Sequence, residues 1–109
     1  MWRFAGLVVL LVLGAMTTAV ADDASELADQ IKRGTELHAK GNYRDALIAW
    51  EKAVALKAPP SAAYNAACAA ARAGMRDKAL EWLGKAIDAG FTGATSAASD
   101  EDLVSLRGD

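Results

Sequence analysis

The chain has 109 residues, 12 Lys and Arg against 14 Asp and Glu, one His and one Cys. That length sets a single domain as the expectation, and the mildly acidic balance removes any general attraction to nucleic acid or anionic lipid. One cysteine excludes an internal disulfide, and one Cys with one His falls short of a four-ligand structural zinc site.

The segment 1–21 reads as an export leader. Arg3 supplies a basic start, AGLVVLLVLGAM is a short apolar run, and TTAVA closes it with small residues at Ala19 and Ala21. This is the layout of a secretory signal peptide cleaved after Ala21. The competing reading is an uncleaved anchor, since the stretch 4–21 approaches the roughly 20 apolar residues that span a bilayer. No cysteine stands at the cleavage point, so a lipoprotein signal is not expected. Cleavage would leave a chain beginning at Asp22 that keeps every acidic side chain and loses only Arg3 among the basic ones. A chain this short without disulfides is held by packing alone.

The remainder, 22–109, reads as helices throughout. In the first, Leu27, Ile31, Gly34 and Leu37/His38 recur at helical spacing. Asp23 with Glu26 resembles a capping box at its start, and Gly41 is placed to end it in a left-handed conformation. The second helix puts Tyr43, Ala46, Leu47, Trp50, Ala53 and Val54 on one face, and Ala58-Pro59-Pro60 is expected to stop it. A third helix runs from Ser61 to Ala73 and closes at Gly74. In the fourth, Ala79, Leu80, Leu83, Ala86 and Ile87 form the apolar stripe, Trp82 sits at its flank, and Gly90 ends it. After the small-residue tail GFTGATSAAS, Ser99 is placed to cap a short helix through Asp102, Leu103, Val104 and Leu106, with Asp100-Glu101-Asp102 as its acidic start. That piece is expected to fold back over the apolar side of the last helix pair.

A repeat underlies this order. Gly41/Gly74, Ala46/Ala79, Leu47/Leu80, Lys52/Lys85 and Ala53/Ala86 are identical at one constant offset, and Trp50/Leu83, Val54/Ile87 and Gly34/Ala67 are similar. A period of this size marks a helical repeat. The pattern G-x-Y-x-x-A-x-x-x-W-x-K-A, with a small residue seven places before the glycine, resembles the tetratricopeptide repeat. The resemblance covers 27–90 as two units, 27–58 and 59–90, with 91–109 as a C-terminal cap. Gly34, Leu37, Gly41, Tyr43, Ala46, Trp50 and Ala53 fall on the family's positions in the first unit. The second keeps Ala67, Gly74, Ala79, Leu83 and Ala86 but has Arg76 where an aromatic is usual, and no proline follows Ile87. The segment from Tyr64 to Phe91, followed by DEDLVSLRGD, is similar to the ends of many bacterial proteins of this family. The resemblance implies an all-α, short right-handed solenoid whose concave groove binds peptides.

No nucleotide loop, G-x-S-x-G or H-E-x-x-H motif occurs, calcium-loop spacing is missing, and no cofactor is expected. Cys68 lies mid-helix and reads as a packing residue, ahead of an intermolecular disulfide and of a nucleophile paired with His38. If the first helix of each unit lines the groove, as the resemblance implies, then Ile31, Lys32, Thr35, His38, Tyr64, Asn65, Cys68 and Arg72 are exposed or partly exposed there. Asn65 matches a groove asparagine that holds peptide in some family members, although Ile31 stands where a full carboxylate clamp needs lysine. These positions are equally compatible with a solvated face or with one covered by the terminal segment. The sequence thus points to a non-catalytic protein- or peptide-binding module in the bacterial periplasm or envelope. The alternative is an assembly factor anchored by its leader. Two repeats are fewer than the usual three, so self-association is a corollary.

Overall fold

The computed structural model of the chain describes residues 22–92 and 102–103. The leader, Ser99, Val104 and Leu106 lie outside the described residues. Within them the fold is all-α: α1 over 22–39, α2 (Tyr43–Ala55), α3 (Ser61–Arg72) and α4 (Arg76–Asp88). α2 and α4 start and stop one sequence repeat apart, and α3 packs on both. No described helix is long and apolar enough to cross a membrane.

Three helices end by the same device. Gly41 (φ 81°), Gly74 (φ 76°) and Gly90 (φ 98°) are left-handed. The N–H of each reaches back three positions, and the next N–H reaches back five: Gly41 to His38 and Asn42 to Leu37, Gly74 to Ala71 and Met75 to Ala70, Gly90 to Ile87 and Phe91 to Ala86. This Schellman arrangement satisfies carbonyls that the helix end would otherwise orphan. α2 ends in the same way at Lys57, whose φ of 67° is unusual for a residue with a Cβ. Lys57 N–H donates to Val54 O and Ala58 N–H to Ala53 O. The prolines therefore do not stop α2, which has closed before them. They open α3 instead: Pro60 is already helical (φ −54°, ψ −24°), and the Pro59 and Pro60 carbonyls accept from Ala62 and Ala63. A missing N–H costs nothing in a helix's first turn.

Two further expectations are corrected. Asp22 is already helical, so Asp23 lies within α1 rather than at its cap, and Glu26 Oε1 accepts from Gln30 Nε2 at 2.7 Å. In α4 the buried residues are Ala79, Trp82 and Ala86, whereas Leu80 and Ile87 are 44% and 49% exposed. The register explains the change. Trp82 corresponds to Ala49, which is also buried, while Leu80 corresponds to Leu47, buried where α3 packs on α2. No helix plays the part of α3 for α4 among the described residues.

The core is built from small side chains. Ala46, Ala53, Ala66, Ala67, Ala69, Ala70, Ala79 and Ala86 are wholly buried, which lets helix axes approach closely. Trp50 and Trp82 supply the bulk. Trp50 lies against α1 where Gly34 has no side chain: a Cβ built there would stand 2.6 Å from Trp50 Cε2. On the other side, Glu51 Oε2 accepts from Trp82 Nε1 at 3.0 Å and pairs with Lys78 Nζ at 3.3 Å, tying α2 to α4.

Candidate functional site

α1 and α3 carry their side chains into a shared cleft of about 260 Å³. Thr35, His38, Asn65 and Cys68 line it, with Trp50 from α2 also on its wall. The repeat register produces this juxtaposition: Thr35 and Cys68 are equivalent positions on the two helices, and His38 and Arg72 each lie in the last turn of theirs. Thr35 Oγ1 is turned back on its own helix, donating to Ile31 O at 2.9 Å. Cys68 is buried at 4% exposure, in keeping with its reading as a packing residue, and it still forms part of the cleft wall.

The terminal segment, one of the coverings that the sequence leaves open, reaches the cleft, but the residue that does so is not marked in advance. Asp102 lines the cleft, and its carboxylate is gripped from both helices. Arg72 Nε donates to Oδ1 at 2.6 Å, and His38 Nε2, in the tautomer that protonates it, donates to Oδ2 at 3.1 Å. Tyr43, at the start of α2, underlies both basic groups. Its ring meets the His38 imidazole edge-on at 5.0 Å between centroids, and the Arg72 guanidinium carbon lies 5.8 Å above it. Aromatic edges and faces in these positions fix the donors that hold the acid. Leu103, the next residue, is buried at 3% exposure and belongs to the hydrophobic core. The terminal segment therefore reaches the α1–α3 side at Asp102, while Leu80 and Ile87 of α4, the apolar side it was expected to cover, stay exposed.

The remaining residues named from the sequence fall outside the cleft wall. Tyr64 stacks on Phe91, with centroids 4.4 Å apart and planes 17° from parallel. Ile31 is half-buried against the core, and Lys32 is exposed. Arg72 acts at the rim through Asp102. A carboxylate in an acidic run carries no periodic mark, so nothing in the spacing singles out Asp102. The one usable signal is that His38 and Arg72 both fall in the last turn of their helices, making a cationic end to the cleft.

Chemically, the site is a partly apolar slot with two hydrogen-bond donors at one end and the Asn65 amide on its wall. Cys68 is buried on the cleft wall, and the imidazole Nε2 is engaged by Asp102. No group of three or more His, Cys, Asp or Glu side chains that would hold a metal ion occurs among the described residues. Comparison of the chain with family models, with curated proteins and with solved structures gives no match.

Proposed function

We propose that this chain is a non-catalytic binding module of tetratricopeptide type, working in the periplasm or cell envelope and holding a protein or peptide segment between α1 and α3. The observation that carries the reading is the open cleft, on whose wall the chain's own Asp102 carboxylate is held by His38 and Arg72. A wall that holds one carboxylate in this way has the chemistry to hold another. The repeat supports the family part of the reading. Helix ends, left-handed caps and small-residue positions all recur at the same offset along the chain.

The test is selection of peptides from a displayed library on the full chain, with Asn65→Ala and Arg72→Ala variants as counter-screens. Enriched peptides that lose binding to both variants support the α1–α3 face. Peptides indifferent to both, yet displaced by Ile48→Asp on the exposed α2 surface, would place recognition elsewhere. Export rests on the leader alone, and N-terminal sequencing of the protein from the envelope fraction tests it. Asp22 as the first residue supports cleavage; an intact Met1 turns the reading to an anchored factor.

A further inference from the structure

We infer that the carboxylate seat on the wall of the α1–α3 cleft is self-occupied: Asp102 is an intrinsic pseudoligand, and an acidic residue of an incoming partner segment binds by displacing it. The inference rests on the binding-module reading above and adds the ligand's chemistry and its regulation.

Three observations carry it. The acid is held by two side chains from different helices, one donor to each carboxylate oxygen, with Tyr43 behind both donors. That is a built seat for a carboxylate. Leu103 follows at once and is buried in the core, so the acid is presented to the seat by a residue anchored beside it. Yet the grip is shallow. His38 and Asp102 side chains are 26% and 25% exposed and Arg72 is 40% exposed, and polar contacts this open to water are individually weak. A segment with the same chemistry can therefore compete. The Asn65 amide lines the cleft beside the anchor, where it offers both donor and acceptor to a ligand backbone.

The experiment measures binding of a fluorescein-labelled peptide copying positions 99–109, added to the full chain and to its Asp102→Ala/Leu103→Ala variant. A protein whose competent state is mostly closed shows an affinity reduced by the open fraction, so the variant should bind about tenfold tighter than the native chain. Binding should vanish when Arg72 is replaced by Ala, or when the peptide carries Asn at its third acidic position. Should the double variant lose helical circular dichroism, Asp102→Asn alone keeps Leu103 in place and must raise affinity in the same direction. Equal, Arg72-dependent binding by native and variant chains would overturn self-occupancy while leaving the binding-module reading intact. No peptide binding by either chain, with library-selected ligands still Arg72-dependent, would overturn the assignment of an acidic residue as the ligand's anchor. Binding of every ligand unaffected by Arg72→Ala and Asn65→Ala would remove the underlying reading itself.

Discussion

Two helix-interior glycines give opposite answers to one substitution. Replacing Gly by Ala inside a helix gains about 1 kcal/mol from propensity. At Gly84 in α4 a Cβ meets nothing within 4 Å, so that gain should appear unopposed. At Gly34 the same methyl would stand 2.6 Å from Trp50 Cε2 and 2.9 Å from Cδ2 and Nε1. Carbon contacts settle near roughly 3.5–4.0 Å, so the indole must retreat by about 1 Å. It is 5% exposed and packed in the core apart from its side toward the cleft, so the retreat disturbs its packing. Overpacking of this kind costs about 1–3 kcal/mol, leaving Gly34→Ala net destabilised by up to about 2 kcal/mol after the propensity gain. Thermal unfolding followed by circular dichroism reads the contrast, at about 4–8 °C per kcal/mol for a domain of this size. The second helix pair supplies a control, because Ala67 and Leu83 stand where the first has Gly34 and Trp50. In a Trp50→Leu background, Gly34→Ala should therefore turn neutral or stabilising. If Gly34→Ala raises Tm as much as Gly84→Ala in the native chain, the close approach of α1 to Trp50 is refuted.

Lys57→Gly should stabilise the chain by about 0.5–1 kcal/mol, since it relieves a left-handed residue at the position where the second pair has Gly90; chemical denaturation would register it as a higher midpoint at unchanged slope. Glu51→Ala strips the acceptor from a nearly buried Trp82 Nε1 and should cost about 1–3 kcal/mol, whereas Glu51→Gln keeps an acceptor oxygen and should stay within about 1 kcal/mol. Similar losses for the two variants in urea titrations would show that the Lys78 charge pair, not the indole hydrogen bond, dominates there. Leu47→Ala should cost about 2–5 kcal/mol, while Leu80→Ala, at the equivalent place one repeat on, should cost under about 1 kcal/mol; equal losses would mean that the exposed stripe of α4 is covered in solution.

The parts of this fold legible in the sequence are those that depend on a residue and its own helix. Gly41, Gly74 and Gly90 are readable as stops because a left-handed residue favours glycine whatever surrounds it. Lys57 is not, because lysine carries no such mark; only its place one repeat before Gly90 betrays it. The α4 stripe escapes for a different reason. Periodicity finds apolar positions, but burial depends on whether a neighbour stands opposite, and the neighbour that covers Leu47 has no counterpart over Leu80 among the described residues. At the site, the pairing of α1 with α3 follows from the repeat offset, which sets Thr35 beside Cys68. Asp102 does not follow, because its partners lie 30 and 64 residues away and no local pattern encodes such a contact.

The same register shows why the two ends of the helix stack differ. α3 lies between α2 and α4, and Ala62, Ala66 and Ala69 are buried on it. One repeat earlier the equivalent positions of α1 hold Asp29, Arg33 and Glu36, all exposed, with Lys40 following at the place of Ala73. Asp29 with Arg33 and Glu36 with Lys40 are spaced i,i+4, acid before base, the orientation that supports a solvated helix surface. To bury those charges against an apolar helix would cost more than the contact returns. Among the described residues α1 thus presents charges at these positions, whereas α4 presents Leu80 and Ile87. A second copy offering its α1 side to that stripe would place ionised groups on aliphatic ones. The charges on α1 where α3 has alanines thus oppose a head-to-tail contact of this kind, the geometry that yields open-ended filaments.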